Sequence, residues 1–188
     1  MPEERQGPLA RYSVDMTAAR HKAILTPALN YGEFVKRAIP ILCRKTRRNP
    51  LLISASQAKR VAVVEEVVRS AVSENLTDYL ASITFVRVDI DSLITNAPSA
   101  HEAEKDLISL LEEPSTSPRQ LILFIDDFSF MASTRAGLQD IWLGKLQIIA
   151  GTAGNVVHEF ISPHRPTEVL FQPLYLDMQL DNLTLPET

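Results

Sequence analysis

The chain has 188 residues, 45% of them hydrophobic and 22% charged, with 19 basic against 23 acidic side chains and a net charge of −4. This size suits one α/β domain with a full core, and the mild acidity excludes a nucleic-acid binder that works by bulk positive charge. A single cysteine, Cys43, excludes an intramolecular disulfide framework and a multi-cysteine zinc site.

No apolar run approaches the ~18 residues that a membrane span needs, and the polar start Met1-Pro-Glu-Glu-Arg-Gln-Gly-Pro8 is not a signal peptide. A cytoplasmic location is therefore expected. Residues 1–10 and 181–188 read as flexible ends around one domain over 11–180. Within it, Glu33–Lys45 has apolar residues at helical spacing, with Pro40 inside. Cys43 reads as a partly buried thiol on that helix. Leu51–Ser54 is a short apolar strand. Arg60–Val72 predicts a helix with Val61, Val64, Val68 and Ala71 on one face and Glu65 and Glu66 spaced to meet Arg69. Ile83–Ile90 predicts a strand, Ala100–Leu111 a helix, and Glu112–Arg119 a Pro/Ser loop. Strands follow at Leu121–Ile125, Leu146–Ala150 and Leu174–Leu176. Strands alternating with helices predict a mostly parallel sheet covered on both faces. Ligands of such sheets bind beyond the carboxyl ends of the strands, where Ser54, Asp89, Asp126 and Thr152 should converge.

Two segments conflict. Leu121-Ile-Leu-Phe-Ile-Asp-Asp127 is a buried strand ending in paired carboxylates, the pattern with which nucleotide hydrolases hold Mg²⁺ and polarise water. Upstream, Leu51-Leu-Ile-Ser54 should feed a phosphate-binding loop. Yet Ser54-Ala-Ser-Gln-Ala-Lys-Arg-Val61 contains no glycine, and none occurs between Gly32 and Gly137. A phosphate cradle needs backbone that glycine adopts cheaply and amides free to approach the anion.

In order along the chain, Leu9-Ala-Arg-Tyr-Ser-Val-Asp-Met-Thr17, Arg44-Lys-Thr-Arg-Arg-Asn-Pro-Leu-Leu-Ile53, Leu121–Asp127, Leu146-Gln-Ile-Ile-Ala-Gly-Thr-Ala153 and Phe171-Gln-Pro173 resemble the first AAA+ module of the Clp unfoldase/disaggregase family. The resemblance covers Leu9–Asp177 and falls on the module's large α/β subdomain. It implies a P-loop-like three-layer sandwich with a mostly parallel five-stranded sheet, here without the α-helical small subdomain. Residue by residue it implies mostly losses. The family's G-x-x-x-x-G-K-[ST] loop falls on Ser54–Val61, so that both glycines become Ser54 and Lys59. The lysine position becomes Arg60 and the Mg²⁺-ligating hydroxyl becomes Val61. A lysine slipped to position 59 would point about 100° away. Asp126 and Asp127 are the Walker B remnant, the second carboxylate being one methylene shorter than the family's glutamate. Sensor 1 keeps Thr152. The paired trans-acting arginines fall on Val169 and Leu170, and the pore-loop aromatic falls near Ser99.

The resemblance implies a pseudo-ATPase that serves as a protein-interaction or regulatory module. Asp126 and Asp127 are its inactive catalytic remnant; Ser54, Lys59, Arg60 and Thr152 are its degenerate nucleotide-site positions. No cofactor is expected, and the partner is expected to be a protein, such as an active Clp-type ATPase or its assembly. The alternative is an atypical AAA+ ATPase that binds ATP and Mg²⁺ weakly or borrows missing groups from a partner. A third reading assembles Asp89, Asp91 and Asp126 into a Mg²⁺ site. Asp126 could equally end its strand by bonding loop amides. The basic run Arg44, Lys45, Arg47 and Arg48, with Arg37 one helical face earlier, suits either an acidic partner or phosphate, or a solvated helix end. His158 and His164 lack a framing ligand motif for zinc. Trp142 reads as core or interface. Val169-Leu-Phe171 puts apolar residues where the family faces a neighbouring subunit, which suits either simple core packing or a rewired contact.

Overall fold

A computed structural model describes residues 7–21, 31–46, 48–73, 78–132, 139, 141, 143–154 and 170–177. The chain enters through α1 (Pro8–Arg11), β1 (Ser13–Asp15), α2 (Met16–His21) and α3 (Gly32–Leu42). Then come β2 (Asn49–Ile53), α4 (Gln57–Ser73), α5 (Asp78–Ala81) and β3 (Thr84–Val88). After them run α6 (Ile90–Asn96), α7 (Ala100–Thr116), β4 (Leu121–Ile125), α8 (Phe128–Ala132), β5 (Gln147–Thr152) and β6 (Phe171–Tyr175).

The strands form one six-stranded sheet in the order β1-β3-β4-β5-β2-β6. All neighbours run parallel except β1, which pairs antiparallel with β3 through Val14 opposite Arg87. The sheet thus has one strand more than the five expected. Three residues are too few to reveal period-2 alternation, and β1 lies on the sheet's edge.

Alternate residues of β4 explain the layering. Leu123 and Ile125 enter a core with Leu107, Leu110, Leu111 and Phe128, on the α6–α7–α8 side. Ile122 and Phe124 enter a second core with Phe34, Leu42, Val63, Val64 and Val67, on the α3–α4 side. Both faces of the sheet are therefore covered, giving a three-layer sandwich. Among the described residues no helical small subdomain follows β6.

Several element boundaries differ from expectation. The buried face of α4 is Val63, Val64, Val67, Val68 and Ala71, with Val61 only half-buried at its flank. Within that helix, Arg69 pairs with Glu66 in two hydrogen bonds, one of 2.8 Å, whereas Glu65 lies in the field of Arg87 instead. Helix α7 starts at the cap Ser99, whose Oγ accepts from the Glu102 N–H at 3.3 Å. It runs to Thr116 through Pro114, so half of the expected 112–119 loop is helix. A proline in the last turn sacrifices one backbone bond but leaves the preceding turns intact. Cys43 is the C-cap of α3 and is exposed, not part-buried. Residues 8–10, expected to be part of the flexible start, lie in α1, where the Leu9 N–H donates to Glu113 at 3.3 Å. Arg47, Trp142, His158, His164, Val169 and the tail 181–188 lie outside the described residues.

Candidate functional site

The parallel register carries β2, β5 and β4 to a common carboxyl edge, with Ile53 opposite Thr152 and Ile125 opposite Ala150. A cleft of about 240 Å³ opens there, and its lining includes Gln57, Arg60, Asp89, Asp91, Asp126, Asp127 and Thr152. It sits at the edge where open α/β sheets bind ligands.

The link from β2 to α4 is only three residues long, because α4 begins at Gln57 rather than near Arg60. Ser56 caps it: its Oγ accepts from the Lys59 N–H at 3.2 Å. The Ser56 N–H donates to Ser54 Oγ at 3.1 Å, and the Ser54 N–H donates to the Thr152 carbonyl at 3.1 Å. The Ala55 N–H donates to Asp177 Oδ2 at 3.1 Å, and the Arg60 N–H donates to the Ser56 carbonyl at 3.2 Å. The amides of Ser54, Ala55, Ser56, Lys59 and Arg60 are thus already engaged. In a phosphate cradle such groups would face the anion.

Asp177 lies just beyond β6, which pairs Tyr175 with Ile53 and so brings the next residues against the turn. One carboxylate oxygen accepts from Ser54 Oγ at 2.9 Å and from Lys59 Nζ at 3.0 Å; the other takes the Ala55 amide. The Lys59 hydrogen bond, with smaller help from Ser54 and Ala55, holds the Asp177 carboxyl below its ordinary value. An internal carboxylate therefore meets the loop amide, hydroxyl and ammonium that an incoming anion would contact.

Arg60 occupies the other half of the site. Its Nε donates to Asp126 Oδ1 at 2.6 Å and one terminal nitrogen to Oδ2 at 3.2 Å, while the other terminal nitrogen donates to the Ser54 carbonyl. Both side chains of the pair are 9% exposed. This bidentate fork is the geometry in which arginine binds carboxylate most firmly. Gly151 makes room for it, since a Cβ there would meet Asp126 Oδ1 and come within 3.2 Å of the Asp126 Cα.

The remaining carboxylates have structural tasks. Asp127 Oδ1 accepts from the Phe130 N–H at 3.3 Å at the start of α8. Asp89 caps α6, accepting from the Ser92 N–H at 3.0 Å and Ser92 Oγ at 2.7 Å; those bonds, the hydroxyl's first, hold its carboxyl below the ordinary value. Burial raises Glu65, opposed by the charge of Arg87. Among the described residues no group of three or more His, Cys, Asp or Glu could hold a metal ion. Asp89, Asp91 and Asp126 do all line the cleft, but Asp89 is a helix cap and Asp126 is paired with Arg60.

The structure therefore brings Ser54, Arg60, Asp126 and Thr152 together, turns Lys59 away to Asp177, and gives Asp127 to a helix cap. Thr152 lines the cleft, its hydroxyl donating to the Ala153 carbonyl at 3.4 Å. With Arg60 on both Asp126 oxygens and no oxygen on Val61, these residues are a poor fit to Mg-ATP. Leu170 and Phe171, at and beside the expected arginine positions, are buried in the chain's own core, with Phe171 edge-on to Phe128 at 5.0 Å. They are core residues, not a rewired subunit contact. Sequence reasoning missed Asp177 and Gly151. The signal for Asp177 was a lone carboxylate two residues past the strand that flanks β2; Gly151 is visible only once its neighbour Asp126 is placed.

No protein-family model matches the chain. It is 29% identical to the chaperone protein ClpB 1 of Parasynechococcus marenigrum, over 100% of the chain and 22% of that relative. With heat shock protein hsp98 of Neurospora crassa it shares 31% identity over 71% of the chain and 14% of the relative. The Hsp104-ADP complex of S. cerevisiae superposes with a TM-score of 0.80 at 22% identity, over 89% of the chain and 30% of that structure's chain. Over nearly its whole length the chain is similar to a Clp-type AAA+ module. The match falls on the large α/β subdomain, and the chain spans about a fifth of the length of the curated relatives it matches. Among the described residues of the module no helix is long and apolar enough to cross a membrane.

Proposed function

We propose that this AAA+ module is a pseudo-ATPase that acts as a protein-interaction or regulatory element. The observation that carries the reading is the double occupation of the nucleotide position by the chain itself, Arg60 on Asp126 and Asp177 on Lys59 and the Ala55 amide. ATP would have to break both ion pairs and open a capped helix start. An arginine finger is worth three to five orders of magnitude in related phosphoryl-transfer sites. Here the finger position Leu170 is apolar, and the water-polarising position Asp127 caps a helix. What persists is the fold, and with it the module's outer surface. Its partner is a protein, an active Clp-type ATPase or its assembly, and its compartment is the cytoplasm.

Isothermal titration with Mg-ATP and Mg-ADP tests the first half: no binding heat is expected up to millimolar nucleotide. Micromolar binding would overturn the reading. Phosphate release, followed alone and with a Clp-type hexamer, tests the second. Release that is lost in Asp126→Ala, with the hexamer's own rate subtracted, would make the module an ATPase.

A further inference from the structure

At the opposite, amino edge of the sheet lies a second cleft of about 240 Å³, and the charged side chains that line it among the described residues are all basic. Arg48, Arg119 and Lys145 line it together with Tyr79 and Gln147; among the described residues no carboxylate does, although the whole chain carries a net charge of −4. The acids nearest in sequence, Asp78, Glu112 and Glu113, are not in its lining, and Glu113 is engaged with Leu9 on the α1 side.

The cleft is built rather than a chance gathering of surface cations. Arg48 is half-buried and anchored by a 2.7 Å bond to the carbonyl of Gly144, which turns the chain at φ +71°. Gln147 is buried; its amide nitrogen donates to the Leu42 and Arg48 carbonyls at 2.9 and 3.0 Å, and its oxygen accepts from the Tyr79 hydroxyl at 2.6 Å. Tyr79 is thereby held with 36% of its surface exposed. Arg119 is exposed at the turn into β4. The basic line continues past the cleft: Arg44 reaches Gln172 at the start of β6, with a 3.5 Å contact.

From β4 to β6 the sheet order crosses three strand spacings, about 14 Å at ~4.8 Å each, a distance spanned by four or five residues of extended chain. A small oxyanion would meet only one end of that row. We propose that this edge binds an extended acidic segment of a protein partner, its carboxylates meeting Arg119, Arg48 and Arg44 in turn and an apolar side chain lying on Tyr79. Guanidinium groups suit carboxylates by their fork geometry, and a row of one sign gives specificity and a fast, salt-sensitive encounter. The inference is independent of whether the far edge binds nucleotide.

Fluorescence anisotropy of the whole chain with a labelled Glu-rich octapeptide tests it, with a Gln-rich octapeptide, inorganic phosphate and a single-stranded oligonucleotide as competitors. Expected are binding of the acidic peptide, displacement by none of the three, and weakening of about tenfold in Arg119→Glu/Arg44→Glu and severalfold in Arg119→Gln. Lys105→Gln, at an exposed cation on α7 outside the cleft's lining, should change nothing, and the melting temperatures of all variants should match the parent. Absence of peptide binding, equal weakening in Lys105→Gln, or displacement by phosphate or the oligonucleotide would each overturn the proposal. Should the double variant melt early, Arg119→Gln alone decides.

Discussion

Arg60 and Asp126 make a sharp quantitative test, because each stands in the other's debt for being out of water. Both side chains are 9% exposed, and Arg60 supplies two hydrogen bonds to the carboxylate and a third to the Ser54 carbonyl. Removing one member of such a pair strands the other charge, which costs about 3–5 kcal/mol, far more than the ~0–1 kcal/mol of a surface pair. For a chain of this size each kcal/mol moves the melting temperature by about 2–4 °C. Arg60→Ala and Asp126→Ala should each lower it by roughly 6–20 °C. In the double variant no charge is stranded, so its loss should be about that of one single variant rather than their sum. Urea unfolding at neutral pH, read as a double-mutant cycle, measures this. Single losses under about 1 kcal/mol, or strictly additive ones, would refute the view that Arg60 closes the site by neutralising Asp126.

Asp177→Asn should lower the melting temperature at neutral pH. Because the folded carboxyl sits below its ordinary value, its stabilisation is complete above about pH 4 and lost as the pH falls further, so parent and variant should converge in acid; a constant gap would mean the ion pair is not the cause. Gly151→Ala forces a methyl onto the Asp126 carboxylate and should cost about 1–3 kcal/mol, a loss that shrinks in the Asp126→Ala background. Rebuilding the loop with Ser54→Gly, Lys59→Gly, Arg60→Lys and Val61→Thr, together with Asp177→Asn, should create ATP binding, seen as a rise in melting temperature worth about 2.7 kcal/mol at a hundredfold excess over Kd. A folded variant that ignores ATP would show that the loop and Asp177 are not what exclude it.

The layers and parallel order of the sheet were legible because they rest on long periodic signals. Leu121–Ile125 was found to the residue, and α7 and the strand before the turn within a few positions. The edge strand β1 was not, since its burial pattern has no buried position to mark a face. Of the residues expected to converge, Asp89, Asp126 and Thr152 line one cleft and Ser54 joins them through Arg60 and Thr152, while Lys59 and Arg60 point to different partners. The gains were invisible. That Arg60 finds Asp126, 66 residues away, and that Asp177 finds Lys59, 118 residues away, are facts of three-dimensional placement with no local periodicity to announce them.

On the proposed reading, the two ion pairs also explain how such a module can stay folded without a nucleotide. A phosphate loop that waits for nucleotide holds amides and a lysine without an anion and an aspartate without a cation, and ligand binding then adds stability by mass action. This chain supplies both missing charges internally. Asp177 gives the anion to Lys59 and the Ala55 amide; Arg60 gives the cation to Asp126. Replacing Lys59 and Arg60 by the family's glycine and lysine while keeping Asp177 would leave that carboxylate facing a weaker set of donors. Arg60, Lys59, Asp177 and Gly151 therefore work as a unit: each substitution away from the phosphate-loop pattern is tolerated because another residue meets the charge or the space it creates. A chain that had merely decayed would keep some of these groups unpartnered, whereas among the described residues no buried side-chain nitrogen or oxygen lacks a hydrogen bond.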